Sequence, residues 1–117
     1  MSRPKVAVLK TTPATILDDY ERLMHLAAYQ DTLSKQGETL LKLNLSWTKY
    51  FPSCSSQPWQ VEGVVRTLVR DGYPKDKLFP IENKTVVTNP RRGCKNNKWL
   101  PVLEKAAEGV LHRSRSH

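Results

Sequence analysis

The side chains best suited to hold a ligand lie where predicted strands end and a helix begins. A run of hydroxyl and thiol groups, Ser53 to Ser56, comes shortly before Pro58, and proline is favoured as the first residue of a helix. Backbone N–H groups at a helix N-terminus, with nearby hydroxyls and the helix dipole, can hold an anion. Further polar groups end the flanking strands. The predicted ligand-binding residues are Lys42, Asn44, Ser46, Ser53, Cys54, Ser55, Glu82 and Asn83.

Two alternatives stay open for these residues. Ser53 to Ser56 also suits an ordinary capped helix start with an inert thiol. Lys42 and Asn44 share one face of their strand, which is equally consistent with a strand end that emerges into solvent.

Known catalytic motifs are absent from the sequence. It contains no glycine-rich dinucleotide motif, no phosphate-binding loop and no nucleophile elbow. His25 falls within a predicted helix without a partner at informative spacing, so we expect it at the surface or the core edge. Asp18 and Asp19 face different sides of a helix start, which suits dipole compensation and solvation. Whether the chain is an enzyme is left open, because no complete catalytic constellation is present.

The two cysteines, Cys54 and Cys94, form no CxxC pair. A structural zinc site or an iron–sulfur cluster needs about four ligands. We therefore expect no metal and no cofactor in this chain. Two free thiols are expected in a reducing compartment, with a disulfide as the alternative.

The basic charge is concentrated near the C-terminus. The formal net charge is +8, and seven of the 19 Lys and Arg residues lie from position 91 onward. Basic side chains beside an aromatic ring suit nucleic-acid binding, although a solvated basic loop is the simpler interpretation. The residues of this alternative function are Arg91, Arg92, Lys95, Lys98 and Trp99.

The first residues and the apolar runs bear on location. The segment from Met1 to Lys5 does not lead into the charged and then apolar segments of a secretory signal. Every apolar run in the sequence is too short to cross a bilayer. The sequence therefore predicts a cytoplasmic protein without membrane contact.

The periodicity predicts alternating strands and helices. Apolar residues recur at steps of three and four in the helical segments, while short apolar or β-branched runs indicate strands. This order predicts an α/β fold, a small three-layer Rossmann-like domain with a mainly parallel sheet of three to four strands. The predicted strands are Val6–Leu9, Thr39–Leu45, Lys77–Glu82 and Thr85–Thr88, and the predicted helices run from Thr12 to about Leu33, from Pro58 to Gly72 and from Trp99 to Leu111.

One family resemblance starts from the central strand and loop. Lys42-Leu43-Asn44-Leu45, followed by a loop and a helix, resembles the N-terminal part of the domain of unknown function 362 family. That family commonly has proline where Leu43 stands. The resemblance covers residues 6–103. Three tracts are similar to one subgroup of the family: SWTKYFPSCSSQPWQ at 46–60, LVRDGY at 68–73 and NKTVVTNPRRGCKNNKWLPVL at 83–103.

The resemblance implies a partial domain. Members of that family are much longer, and many carry a ferredoxin-like cysteine cluster further on, so an iron–sulfur cluster is expected only in a longer relative. We expect a single partial α/β domain over residues 1–111 and a disordered basic tail over 112–117. Its expected function is to bind a small anionic or redox-linked ligand at the carboxyl ends of its strands. Its expected partner is a missing C-terminal portion, or a second copy that pairs with an uncovered strand edge.

Overall fold

The computed structural model describes residues 3–44 and 55–81. These residues combine helices with a parallel sheet, so the predicted α/β class is confirmed. The order is helix α1, strand β1, helix α2 and strand β2, and a single-turn 3-10 helix precedes each strand. Their bounds are α1 Ile16–Leu26, β1 Thr39–Lys42, α2 Pro58–Arg70 and β2 Leu78–Ile81, with the 3-10 helices at Tyr29–Asp31 and Lys75–Lys77.

The sheet pairs β1 with β2 in parallel. Thr39 lies opposite Leu78, and Lys42 lies opposite Ile81. The ladder continues past β1, because the Leu43 N–H donates to the Ile81 carbonyl at 3.2 Å. Parallel neighbours cannot be joined by a tight turn, and here α2 provides the crossover between them. β1, α2 and β2 therefore form the strand–helix–strand unit that the sequence pattern predicts.

Helix α2 supplies most of the core. Val61, Val65 and Leu68 are each at least 97% buried, and they pack with Leu78 of β2 and with Tyr73. Their spacing of four and then three residues keeps them on one helical face. Full burial of such a side chain is worth about 1.5–3 kcal/mol. The helix predicted from Pro58 is thus confirmed, and Gly72, with φ of 92°, turns the chain away just beyond its end.

A glycine sets how closely the two helices approach. An ideal Cβ placed on Gly63 of α2 would lie 2.6 Å from ring atoms of Tyr20 in α1. That separation is far below van der Waals contact, so the Tyr20 ring lies directly against the backbone of α2. The apolar stripe predicted for α1 explains why this helix packs on α2. The requirement for glycine at position 63 depends on the three-dimensional contact.

Helix α1 begins later than predicted. The sequence places its start at Thr12 and Pro13, whereas the α-helix begins at Ile16. The reason is the buried carboxylate of Asp19. Its Oδ2 accepts hydrogen bonds from the hydroxyls of Thr11 at 2.6 Å and Thr15 at 2.7 Å. Thr15, which occupies the N-cap position, therefore uses its hydroxyl on Asp19 instead of on a helical N–H.

Helix α1 also ends earlier than predicted. The sequence pattern continues the helix to about Leu33, but the α-helix ends at Leu26. Ala28 takes a left-handed conformation, with φ of 53° and ψ of 43°. A left-handed residue cannot continue a right-handed helix, so the chain restarts as a 3-10 turn at Tyr29.

The first predicted strand, Val6–Leu9, does not form. Val6 is 86% exposed and Val8 is 83% exposed, and the segment has no strand assignment. A β-like apolar run becomes a strand when it finds a partner, and β1 and β2 pair with each other instead. Strand Thr85–Thr88, helix Trp99–Leu111 and tail 112–117 lie outside the described residues.

Neither helix of residues 3–44 and 55–81 has the length and apolar content needed to cross a bilayer.

Replacing Gly63 tests the contact between the helices. Gly63→Ala should lower the free energy of unfolding by about 1–3 kcal/mol, because the added methyl group meets the Tyr20 ring close to its backbone. Alanine is the better helix former, so helix propensity alone predicts a gain in stability. A measured loss would therefore indicate the contact with Tyr20. Gly37→Ala is the matched control, since nothing lies within 4 Å of a Cβ there. Urea denaturation of both variants measures the difference, and equal stabilities would contradict the contact.

Acid titration tests the Asp19 network. Hydrogen bonds from Thr11 and Thr15, and then from Arg22, lower the pKa of Asp19 in the folded state. The carboxylate therefore stabilises the fold above the unfolded-state value of about 3.9, and this stability is lost as the pH falls through the folded-state pKa. Asp19→Asn should remove this part of the acid dependence in denaturation series at several pH values. Asp18→Asn, at an exposed neighbour, should leave it in place; equal curves for the two variants would refute the role of Asp19.

Candidate functional site

Two hydrogen bonds join the chain after β1 to the chain before α2. The Asn44 N–H donates to Ser56 Oγ at 3.0 Å, and the Ser56 N–H donates to the Asn44 carbonyl at 2.8 Å. The carboxyl end of β1 and the N-terminus of α2 are thereby held side by side. The sequence predicted both as parts of one ligand-binding edge, and the structure brings these two parts together.

The start of α2 is capped by glutamine side chains. Gln57 occupies the N-cap position, and its N–H donates to Gln60 Oε1 at 2.8 Å. The side-chain amide of Gln57 donates to the carbonyl of Ser55 at 3.1 Å, and Ser55 itself is 93% buried. The start of α2 is therefore well ordered by its own neighbours, as the capped-helix alternative predicts. The positive end of the helix dipole nevertheless faces the same edge of the sheet.

Lys42 contributes the positive charge at this edge. It is the last residue of β1, its side chain is exposed, and its Nζ donates to the Leu43 carbonyl at 2.9 Å. An exposed ammonium group at the end of a strand attracts anions. We use the name strand-end edge for this group of residues: Lys42, Asn44, Ser55 and Ser56.

The remaining predicted residues cannot be placed on this edge. Of the eight predicted ligand-binding residues, Lys42, Asn44 and Ser55 belong to the described part of the chain. The predicted residues that lie outside it are Ser46, Ser53, Cys54, Glu82 and Asn83, together with Arg91, Arg92, Lys95, Lys98 and Trp99 of the nucleic-acid alternative.

A second polar cluster lies at the other end of α2. His25 Nε2 is 2.7 Å from Asp71 Oδ2, and the Tyr29 hydroxyl donates to the same carboxylate oxygen. Glu21 lies one helical turn before His25, where its Oε2 accepts a hydrogen bond from Arg70 at 3.0 Å. One ligand atom from each of Glu21, His25 and Asp71 lies within 4.8 Å of the others. We call these three residues the helix-end cluster.

The ends of the two helices create this cluster. Asp71 is the C-cap of α2, and its N–H donates to the Thr67 carbonyl at 3.0 Å. Across from it, the left-handed Ala28 ends α1 and directs Tyr29 toward Asp71. The ring of Tyr29 is stacked on that of His25, with the ring planes 5° apart and the centroids separated by 6.3 Å. The termination of α1 before its predicted end therefore positions the phenol.

The electrostatics favour an ionised Asp71. Burial raises the pKa of this carboxyl, but hydrogen bonds from Tyr29 and His25 outweigh burial, so the pKa lies below its usual value. Burial and the neighbouring Asp71 carboxylate both raise the pKa of Tyr29 above its ordinary range. The pair is therefore a phenol that keeps its proton and a carboxylate that loses its proton readily.

Aromatic packing supports Tyr29 on one side of the helix-end cluster, and the other side is open. The Tyr73 ring packs 5.7 Å from the Tyr29 ring, and its hydroxyl donates to the Leu33 carbonyl at 2.6 Å. In front lies an open cavity of about 320 Å³. It is lined by His25, Ala28, Tyr29, Gln30, Asp31 and Asp71.

The sequence analysis missed most of this cluster. It expected His25 at the surface without a partner, and His25 is indeed exposed but pairs with Asp71, which lies 46 positions away. The helical spacing of Glu21 and His25 was the available signal, since residues four apart share a face of α1. Nothing local in the sequence connects that face to Asp71.

Comparisons were made with protein-family models, with curated proteins and with solved structures. None of the three found a match.

Proposed function

We propose that this chain forms the N-terminal portion of a larger α/β domain that binds a small anionic or redox-linked ligand at the strand-end edge. The observation that carries the proposal is the parallel β1–α2–β2 unit, in which two hydrogen bonds tie the end of β1 to the start of α2. In open α/β sheets, ligands bind in the crevice outside the carboxyl ends of the strands.

The chemistry of the edge supports an anion. Lys42 brings an ammonium group on the open face at the end of β1, and the positive end of the α2 dipole lies at the same end of that strand. Both favour phosphate, carboxylate or sulfate groups over neutral or cationic ligands. Ser56 is only partly buried, so its hydroxyl is close to the solvent side of this edge.

The exposure of β1 supports a larger domain. Thr39 is 94% buried, whereas the next residue, Leu40, is 59% exposed on the opposite face of the strand. The face of the sheet that carries Leu40 is therefore open among residues 3–44 and 55–81. We propose that further structure covers it, as in a three-layer Rossmann-like domain with three to four strands, similar to the domain of unknown function 362 family.

The test uses inorganic pyrophosphate as the probe and charge-matched lysine variants. Calorimetric titration of the full chain should show binding that weakens about tenfold in Lys42→Ala, the loss expected for one charge-assisted hydrogen bond. Lys75→Ala removes the same charge from the 3-10 helix that precedes β2, at the amino end of the parallel strands. This variant should bind like the unmodified chain.

Two results would overturn the proposal. One is a titration without any heat of pyrophosphate binding. The other is equal weakening in both lysine variants, because binding would then follow the overall basic charge and not the strand-end edge. A steeper salt dependence alone would not separate these cases, since every anion site on a basic protein weakens with salt.

A further inference from the structure

We infer that Glu21, His25 and Asp71 form a binding site for one divalent transition-metal ion of the zinc type. The three side chains come from two helices that meet at their C-terminal ends, and they offer one imidazole nitrogen and two carboxylate oxygens. Zinc is bound by imidazole nitrogen and by carboxylate oxygen, and a site with three protein ligands keeps a fourth position for water or another small ligand.

The distances permit such a site after small side-chain movements. Donor atoms about 2.0–2.2 Å from a tetrahedral zinc ion lie roughly 3.4 Å from one another. In the structure, His25 Nε2 and Asp71 Oδ2 are 2.7 Å apart, and the three donor atoms all lie within 4.8 Å of one another. The first pair must therefore separate slightly while Glu21 moves inward. The ion would replace the hydrogen bond between His25 and Asp71.

The competing positive charge is weakly held. Arg70 Nη1 contacts Glu21 Oε2 at 3.0 Å, and 48% of the Arg70 side chain is exposed. An exposed ion pair of this kind contributes little, with a typical value of about 0–1 kcal/mol. Arg70 can therefore turn toward solvent when a divalent cation takes its place on Glu21.

The surroundings of the cluster supply the outer contacts that metal sites use. Ligands in such sites are oriented by hydrogen bonds from neighbouring groups. Here the Tyr29 hydroxyl donates to Asp71 and holds its carboxylate in position. The open cavity in front has room for metal-bound water, and Asp31 and Gln30 line it.

The donor types favour zinc over magnesium or calcium. Imidazole nitrogen suits zinc, copper, iron and nickel, whereas magnesium and calcium favour oxygen ligands. The site is also independent of the strand-end edge. Helix α2 has 13 residues and therefore separates its two ends by about 20 Å. Failure of anion binding at one end would leave the metal site at the other end intact.

The experiment titrates metal-free full-length chain with Zn²⁺ by calorimetry and with Co²⁺ by visible absorption. We expect one ion bound at the helix-end cluster, with Co²⁺ bands typical of low coordination number and nitrogen–oxygen ligands. His25→Gln should weaken binding at least tenfold. Tyr29→Phe should weaken it by about 10–100-fold, the usual cost of losing an outer contact. Asp18→Asn, which alters an exposed carboxylate in the first turn of α1, should bind like the unmodified chain.

Other donors in the chain require their own control. His112, His117, Cys54 and Cys94 can also bind zinc, so a double variant His112→Gln with His117→Gln should retain the site, and a sulfur charge-transfer band with Co²⁺ should be absent. Equal affinity in His25→Gln and the unmodified chain, loss of binding in the double variant, or no binding at all would each overturn the inference. Circular dichroism establishes that each variant is folded, and Glu21→Gln serves as the second ligand variant if His25→Gln is not.

Discussion

The buried face of α2 is the feature on which the rest of the described structure depends. Val61, Val65 and Leu68 pack against Leu78 of the sheet. Gly63, on the same helix, allows the close approach of Tyr20 and therefore of α1. The helix also determines the strand pairing, because a parallel neighbour can be reached only by a crossover. A change that loosens α2 would therefore act at once on the sheet, on α1 and on the polar groups at both helix ends.

The polar groups at the two ends of α2 differ in charge. Its N-terminus lies at the end of β1, where the positive end of the helix dipole faces the strand-end edge. Its C-terminus carries Asp71 and faces the imidazole and phenol of α1 and its following turn. The direction of the helix dipole suits this arrangement, since anions are favoured at the first end and cations at the second. The two proposed sites therefore lie at opposite ends of one helix.

The sequence predicted elements well where the pattern and the packing agree. The spacing of Val61, Val65 and Leu68 predicts a single buried face, and that face is the core. Prediction failed where a contact across the fold decides the outcome. Val6 and Val8 look like strand residues but pair with no strand within residues 3–44 and 55–81. Asp19 shifts the start of α1 by drawing the Thr15 hydroxyl to its carboxylate. The partnership of His25 and Asp71 depends on the packing of α1 on α2, which single-sequence periodicity does not encode.

The pairing of Thr39 with Leu78 also has a consequence for the order of folding. The sheet that residues 3–44 and 55–81 form cannot assemble until β2 has been synthesised and α2 has crossed back, so β1 lacks this partner for the whole of that interval. Non-local pairing of this kind slows folding relative to helix formation. During synthesis, the amphipathic α1 and α2 can associate first and protect their apolar faces. Until β2 arrives, the N–H and C=O groups that β1 directs toward it lack these partners.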